Sequence, residues 1–211
     1  MTIRDDYSRW ADRYDTDPNR TRDLDREATA QLLRDRRFGR VIEAGCGTGK
    51  NTGLLAAIST TVLALDFSPG MLAQARANVP APNVTFREAD LSGRWPAEAG
   101  VIDLVSCNLV LEHLEDLAPF FREASRVLRP GGLLLVCELH PARQYGGSQA
   151  RIDDPSGGST KIEAFTHHLS DFTAAARSTG LRIERLDEWW HAEDAGKPPR
   201  LVSFLFERTG G

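Results

Sequence analysis

The sequence VIEAGCGTG, residues 41–49, decides the fold of this chain. Its first residues favour a buried β-strand, and glycines follow at the alternate positions Gly45, Gly47 and Gly49. A glycine-rich turn at the end of a strand lets the backbone approach a ligand more closely than a Cβ would permit. The stretch therefore predicts a strand, a ligand-binding turn and a helix, in that order.

A second apolar run, VLALD at residues 62–66, follows about twenty residues later and ends in Asp66. An acid at that place and distance suits the two hydroxyls of an adenosine ribose. Together the two runs predict a nucleoside cofactor that lies across the C-terminal ends of two neighbouring parallel strands.

The composition is that of a soluble globular protein. The 211 residues fit one domain, residues 1–211, and the 41% hydrophobic and 27% charged content is ordinary for that class. A formal net charge of -4 argues against a dedicated nucleic-acid-binding protein, which usually carries a basic face. Neither a signal peptide nor a membrane-length apolar run is visible, so we expect a cytoplasmic protein without membrane insertion.

The three cysteines are widely spaced and each falls in or beside a predicted strand. They are Cys46, Cys107 and Cys137, and their spacing matches neither a disulfide framework nor a metal site. We expect buried free thiols and no bound metal.

Strand and helix patterns alternate along the chain. Strands are predicted at residues 40–44, 61–65, 84–88, 101–107, 133–138, 181–186 and 201–207, and helices at 51–58, 69–77, 117–127 and 169–179. This alternation predicts an α/β fold with a doubly wound, mostly parallel sheet. The last two strands have no helix between them, which favours an antiparallel pair at the sheet edge.

Two further segments are predicted to flank the cofactor. Residues 1–38 are expected to form a helical lid, interrupted at Pro18-Asn19, with Tyr7, Trp10 and Tyr14 on one helical face. The polar stretch after the fifth strand, within residues 139–168, is expected to form a long excursion on the substrate side. Long loops in compact domains are commonly functional.

Five blocks of this sequence resemble the motifs of the class I S-adenosylmethionine (SAM) dependent methyltransferases. They are VIEAGCGTG, ALDFSPGML, the run Ala89-Asp90-Leu91, DLVSCNLVLEHLEDL and FREASRVLRPGGLLLVCE, in family order and at family-like spacing. The chain is most similar to the small-molecule enzymes of ubiquinone and menaquinone biosynthesis. The resemblance implies a Rossmann-like seven-stranded sheet of order 3-2-1-4-5-7-6 with an antiparallel terminal hairpin.

The resemblance also implies SAM as the cofactor, S-adenosyl-L-homocysteine (SAH) as its product, and a set of cofactor-binding residues. That set is Tyr14, Glu43, Gly45, Gly47, Gly49, Asp66, Phe67, Met71, Asp90, Leu91, Asn108 and Leu109. For three of them a second role stays open. Glu43 suits either the cofactor amine or the backbone of the loop, Met71 either adenine or the core, and Asp90 either adenine or a helix cap.

Candidate catalytic residues are His140, after the fifth strand, and His113, which is expected to start the helix after the fourth strand. A histidine can exchange protons near neutral pH, although a structural hydrogen bond is the competing role for both. Arg143 and Tyr145 are candidate contacts for a polar or anionic aromatic substrate, or else members of an ordinary surface loop. Tyr7 and Trp10 are candidate substrate contacts, although packing of the lid is the favoured role for both.

The sequence therefore predicts methyl transfer from SAM to an O, N or C nucleophile of a small molecule. A non-catalytic SAM-binding regulatory or partner protein is the alternative from another class. A nicotinamide-dependent oxidoreductase is a less favoured alternative, because its GxGxxG fingerprint would require glycine where Lys50 stands.

Overall fold

The computed structural model of this protein describes residues 7, 11, 19–149, 151–153 and 159–210. The predicted contacts of Trp10 and Tyr14 lie outside these residues, as do 16 of the 38 residues of the predicted lid.

A seven-stranded sheet forms the centre of the molecule. Its strands are β1 Phe38–Ala44, β2 Ser59–Asp66, β3 Val84–Glu88, β4 Ile102–Asn108, β5 Leu128–Leu139, β8 Leu181–Trp189 and β9 Leu201–Arg208. The numbers β6 and β7 belong to a separate two-stranded hairpin, β6 Arg151–Asp153 and β7 Ser159–Lys161. The order is β3-β2-β1-β4-β5-β9-β8, with β9 antiparallel to both of its neighbours and the other pairs parallel. This order confirms the predicted fold and its terminal hairpin.

The structure gives bounds for six α-helices, of which the second, third and fourth connect parallel strands. They are α1 Arg20–Leu32, α2 Thr52–Ala57, α3 Pro69–Asn78, α4 Ala118–Val127, α5 Pro141–Tyr145 and α6 Leu169–Ser178. Local sequence explains where two of them begin. The Asn19 side chain accepts hydrogen bonds from the first turn of α1, and Ser68 caps α3 directly before Pro69, whose fixed φ suits a first helical position. No described helix is both long and apolar enough to span a bilayer.

Both faces of the central strands are buried, whereas the edge strands β3 and β8 are largely exposed. Val41 and Ile42 are neighbours along β1 and belong to different apolar clusters, as alternation along a strand requires. One cluster contains Trp95 and Phe120, and the other contains Leu55. Because β1 runs parallel to both β2 and β4, the C-terminal ends of these three strands lie at one edge of the sheet.

The structure corrects several predicted boundaries. The helical pattern predicted up to residue 38 ends at Leu32, because Asp35 adopts a left-handed φ of 63° and Phe38 already belongs to β1. Strand β5 starts at Leu128 rather than residue 133 and continues through the predicted turn, with a register shift against β4. β8 extends to Trp189, which pairs with Leu201.

The predicted excursion contains regular structure. It holds α5 and a two-stranded antiparallel hairpin, β6 Arg151–Asp153 with β7 Ser159–Lys161. His113, expected to start a helix, instead ends the 3-10 turn Leu111–His113, and α4 begins only at Ala118. Cys46, Cys107 and Cys137 are free and buried, as the sequence predicts.

Candidate active site

A cavity of about 300 Å³ lies at the C-terminal ends of β1, β2 and β4. Ten of the predicted cofactor-binding residues line it, namely Glu43, Gly45, Gly47, Asp66, Phe67, Met71, Asp90, Leu91, Asn108 and Leu109. The edge agrees with the general rule that ligands of open α/β sheets bind beyond the carboxyl ends of the strands.

The glycine turn follows β1 and bends sharply beneath the cavity. Gly45, Gly47 and Gly49 have φ values of 80°, 51° and 90°, a left-handed region that side chains disfavour. A Cβ on Gly45 would collide with the Val110 side chain, whereas one on Gly47 would meet nothing within 4 Å. Gly45 therefore permits close packing of two loops, and Gly47 leaves open space beside the cavity.

Gly49 does not line the cavity, contrary to the prediction. A Cβ at this position would stand 3.0 Å from Cγ2 of Val79, at the end of α3. The third glycine thus permits a close contact between the turn and a helix, and its contact with the cofactor stays a prediction.

Asp66 closes β2 and fastens the glycine turn. Its Oδ2 accepts a hydrogen bond from the Gly47 N–H at 2.9 Å, and its Oδ1 accepts one from the Ser68 N–H at 2.9 Å. Burial raises the pKa of Asp66, and these backbone donors oppose the rise. The carboxylate therefore holds the turn in place while lining the cavity.

Two further carboxyls form an acidic floor, which we define as Asp25 and Glu43. Glu43 is 4% exposed and accepts a hydrogen bond from Thr52, and Asp25 on α1 is 3% exposed. Burial, with Asp25 and Asp66 nearby, raises the pKa of Glu43 to about 8. Burial also raises the pKa of Asp25. Such a floor suits a cationic ligand, because a nearby positive charge favours the ionised carboxyls.

Sequence reasoning missed Asp25. Its Oδ1 accepts from Nδ2 of Asn108 at 2.7 Å, and its Oδ2 accepts from Nδ2 of Asn51 at 2.8 Å. Nδ2 of Asn108 also donates to Thr29, one turn further along α1. The available signal was a polar stripe at positions 22, 25 and 29, with helical spacing, but the interleaved charges around it resemble a solvated face.

A tyrosine and a histidine in the cavity lining contact each other. The Tyr7 hydroxyl lies 2.7 Å from Nε2 of His113, and the Tyr7 ring contacts the Phe67 ring edge-on at 6.1 Å between centroids. Nδ1 of His113 lies 2.9 Å from the carbonyl oxygen of Glu163. Since a carbonyl only accepts, Nδ1 carries the hydrogen in the neutral ring, and Nε2 accepts from Tyr7.

The His113 ring is held by the returning limb of the excursion, residues 163–167, which we call the return strap. Besides the Glu163 carbonyl, the strap supplies the Phe165 N–H, which donates to the Glu112 carbonyl at 2.6 Å. Nε2 of His167 donates to the Leu114 carbonyl at 2.7 Å. Three hydrogen bonds therefore fix the turn after β4 to the excursion.

Glu138 on β5, which sequence reasoning also missed, clamps the loop that follows β4. Its Oε1 accepts hydrogen bonds from the N–H groups of Val110 and Leu111, both at 3.0 Å. The preceding residue, Leu109, lines the cavity with a left-handed φ of 57°. Burial raises the pKa of Glu138 to about 8. The clamp fixes one wall of the cavity.

The structure does not place His140 at the cavity. Its Nδ1 accepts from the Ala142 N–H at 3.1 Å, at the start of α5, and its Nε2 lies 3.0 Å from Oε1 of Glu188. The side chain is buried by these contacts and does not line the cavity. This geometry corresponds to the structural role that the sequence left open, because both ring nitrogens are engaged.

Arg143 and Tyr145 also lie away from the cavity lining. Arg143 forms an ion pair with Asp194 at 2.9 Å, so its guanidinium has a carboxylate partner within the protein. Tyr145 is 65% exposed, and its hydroxyl lies 2.8 Å from Nδ1 of His168. Helix α5 begins directly after β5 and directs both side chains elsewhere, so the expectation of substrate contacts from these two residues is not supported.

Comparisons with known proteins agree with this geometry. A family model described as a methyltransferase domain matches residues 42–136. An uncharacterized methyltransferase of Emericella nidulans is 30% identical over 241 residues, which cover 96% of this chain and 84% of that protein. The chain belongs to the SAM-dependent methyltransferases.

Two further comparisons extend this assignment. A demethylmenaquinone methyltransferase of Mycolicibacterium gilvum is 38% identical over 114 residues, or 54% of this methyltransferase and 48% of that protein. The solved DhpI-SAM-HEP complex is 26% identical with a TM-score of 0.73, and the match covers 95% of this methyltransferase and 93% of that chain. SAM is the cofactor.

The residues at the cavity fit SAM. The molecule carries a positively charged sulfur, a ribose diol and an adenine, and the cavity offers the acidic floor, Asp66 at the end of β2, and Asp90 with Leu91. The open space beside Gly47 is a cradle that a Cβ would begin to fill. Asp90 and Phe67 also border a second depression, which they share with Glu88 and Ala89.

Proposed function

We propose that this methyltransferase methylates a nucleophilic O, N or C atom of a small molecule. The observation that carries the proposal is a single cavity whose lining includes both carboxyls of the acidic floor and the hydrogen-bonded Tyr7–His113 pair. A cavity of about 300 Å³ in a protein with net charge -4 favours a small molecule over a nucleic acid.

In this proposal the acidic floor binds the methionine half of the cofactor, and the ends of β2 and β3 bind its nucleoside half. When bound, SAM supplies a methyl group that is attached to a positively charged sulfur. The sulfur is the leaving group and becomes a neutral thioether. Asp25 and Glu43 favour that positive charge and the neighbouring amine. Arg22 lines the same cavity and offers a cation to the carboxylate of the methionine moiety.

The nucleoside half is assigned to the ends of β2 and β3. Asp66 accepts from the ribose hydroxyls, because each carboxylate oxygen has room for a second hydrogen bond. Asp90 and the Leu91 backbone face adenine, with Phe67 and Met71 as apolar neighbours. Met71 lines the cavity and is only 1% exposed, which supports a contribution to the core together with the proposed contact to adenine.

Methyl transfer depends mainly on alignment, since the leaving group is good and a base is needed only when the nucleophile must lose a proton. The turn that ends at His113 and the clamp by Glu138 hold the acceptor side of the cavity rigid. The chain therefore positions an acceptor between the His113 ring and the acidic floor.

The proposal is tested by incubating the protein with methyl-labelled SAM and a panel of small O, N and C nucleophiles. We expect SAH formation together with label transfer to at least one acceptor class. Isothermal calorimetry measures SAM affinity in parallel. Micromolar SAM binding without SAH formation from any acceptor would instead support a non-catalytic SAM-binding protein.

A further inference from the structure

We infer that Arg200 is a positioning residue for SAM binding, which anchors the first turn of α1 and thereby holds Asp25 in the acidic floor. The inference rests on the proposed function, in which Asp25 faces the positively charged half of the cofactor. The observation behind it is a chain of contacts that runs from Asp194 through the Arg200 guanidinium to Thr21 on α1.

The main chain of Arg200 is fixed by the sheet. Arg200 lies directly before β9, and its N–H donates to the Trp189 carbonyl, at the end of β8, at 2.7 Å. The Arg200 carbonyl accepts from the N–H of His140, directly after β5, at 2.9 Å. Because β5 and β8 lie on the two sides of β9, Arg200 is held from both sides, and its side chain starts from a fixed point.

Asp194 fixes the guanidinium group itself. This aspartate ends the 3-10 turn Ala192–Asp194, and its side chain is 1% exposed. Its Oδ2 and Oδ1 accept from Nε and Nη2 of Arg200, both at 2.7 Å. A two-point contact of this kind sets the orientation of the guanidinium plane as well as its position. The same hydrogen bonds lower the pKa of Asp194, so the contact stays charged near neutral pH.

The third nitrogen of the guanidinium reaches α1. Nη1 of Arg200 donates to Oγ1 of Thr21 at 3.1 Å, and the Arg200 side chain is 18% exposed. Arg20 and Glu193 form an ion pair at the same turn, but both of their side chains are more than half exposed. Exposed ion pairs contribute little to stability. Of these two contacts, that of Arg200 is therefore the better suited to anchor the first turn of α1.

Thr21 and Asp25 lie one turn apart on the same face of α1, since four residues separate them. The two oxygens of Asp25 accept from the neutral side-chain amides of Asn108 and Asn51. A displacement of the first turn moves this carboxylate relative to a bound positive charge. Because the attraction between the two charges falls with distance, the anchor at Thr21 controls how strongly Asp25 favours the cofactor.

Arg143 offers a matched control for Arg200. It forms an ion pair with the same buried Asp194, at 2.9 Å, but it lies on α5 and does not line the cavity. Loss of either arginine leaves Asp194 with one guanidinium partner. Of the two, Arg200 is the one with a described hydrogen bond to α1. A variant pair at these positions therefore separates the anchoring of α1 from the general loss of an ion pair.

The first test measures the binding of SAM and of 5′-methylthioadenosine, which has the nucleoside half but lacks the amino acid part, by calorimetry. We expect Arg200→Gln to lower SAM affinity about threefold to tenfold, the scale of one hydrogen bond, and to change 5′-methylthioadenosine affinity less than about 1.5-fold. Arg143→Gln should bind both ligands as wild type does. Unchanged SAM affinity in Arg200→Gln, equal weakening of the two ligands, or an equal loss of SAM affinity in both variants overturns the inference.

The second test is a double-mutant cycle between Arg200→Gln and Asp25→Asn. Asp25→Asn removes the charge, and Asn51, whose buried Oδ1 has no hydrogen-bond partner among the described residues, can accept from the new amide. We expect Arg200→Gln to lower SAM affinity by less than about 1.5-fold in the Asp25→Asn protein, because Arg200 acts through Asp25. Additive losses in the double variant, or unchanged SAM affinity in Asp25→Asn, contradict the inference.

Melting temperatures are measured for every variant. If Arg200→Gln does not fold, Thr21→Val replaces it, because this change removes the acceptor hydroxyl and keeps the contact between Arg200 and Asp194. Absence of methyl transfer from SAM by the wild-type protein contradicts the proposed function. Loss of the expected Arg200 effect in a protein that transfers methyl groups contradicts this inference alone, so the two failures are distinguishable.

Discussion

Asp66 ends β2 with both carboxylate oxygens already engaged by backbone N–H groups, those of Gly47 and Ser68. Each oxygen still has room for a second donor. A ribose that shares these oxygens therefore binds to a carboxylate whose position is fixed in advance. Preorganisation of this kind improves affinity because less ordering is required on binding.

We predict that Asp66→Ala lowers SAM affinity at least tenfold, since it removes both the ribose contacts and the fastening of the turn. Isothermal calorimetry measures the change. Asp103→Ala is the matched control, because Asp103 also accepts from two backbone N–H groups, those of Gly39 and Arg40, outside the cavity lining. An equal loss of affinity in both variants would show that Asp66 acts through general destabilisation alone.

Among single residues, the sequence predicts a side chain's position well when a motif determines it. It predicts the position poorly when tertiary packing determines it. Glu43 and Asp66 line the cavity because strand ends of known spacing bring them there. His140 also follows a strand end, yet its ring turns to Ala142 and Glu188. Asp25 reaches the cavity from α1, and that docking depends on tertiary contacts that no local pattern encodes.

The glycine turn acts as one element with the loop after β4. Gly45 approaches Val110 so closely that a Cβ would collide with it, and Val110 is in turn held by Glu138. The N–H groups of Gly45 and Cys46 both donate to the Leu65 carbonyl, at 2.8 and 2.9 Å. Ends of three strands are thereby locked together beneath the ligand.

Gly45→Ala should lower the free energy of unfolding by about 1–3 kcal/mol, because it combines a left-handed φ with a collision in a packed region. Urea denaturation provides the measurement. Gly53→Ala is the control, since Gly53 lies in α2 and its Cβ would meet nothing within 4 Å. That variant should gain about 0.5–1 kcal/mol from helix propensity. Stability unchanged in Gly45→Ala would contradict the packing described for the turn.

Among the elements, strands with strong β-propensity and helices with clear caps were predicted to within a few residues. The start of β5 was missed because Pro130-Gly131-Gly132 has the composition of a turn, yet it continues the strand through a register shift against β4. Helix α5 and the β6–β7 hairpin were missed since short elements leave little periodicity to detect.

For the molecule as a whole, buried carboxyls link stability to pH. The pKa of Glu138 rises to about 8 in the folded protein through burial, against an ordinary value of 4.5. Oε2 of Glu138 is buried without a hydrogen-bond partner among the described residues, which favours the protonated form. Between pH 4.5 and 8 the unfolded chain releases this proton while the folded protein retains it. The contribution of Glu138 to stability is therefore complete below pH 4.5 and is lost as the pH rises towards 8.

We accordingly predict that Glu138→Gln, which does not titrate, becomes more stable relative to wild type as the pH increases from 5 to 8. Melting temperatures of the two proteins across this range measure the difference. Glu123→Gln is the control, because a hydrogen bond from Arg126 lowers the pKa of Glu123 and leaves it ionised throughout. Its melting temperature relative to wild type should stay constant between pH 6 and 8. A constant difference for Glu138→Gln as well would refute the raised pKa.

The return strap matters for loop exchange between related enzymes. The Glu163 carbonyl is hydrogen-bonded to His113, and the His167 ring is hydrogen-bonded to the Leu114 carbonyl. The excursion and the turn after β4 should therefore be exchanged together. Because the acceptor of Nδ1 of His113 is a main-chain carbonyl, a graft that replaces residues 139–168 alone keeps the ring oriented only if its backbone follows the same path at position 163. A chimaera that carries residues 111–114 together with the donor excursion would keep the imidazole oriented while exchanging the acceptor wall.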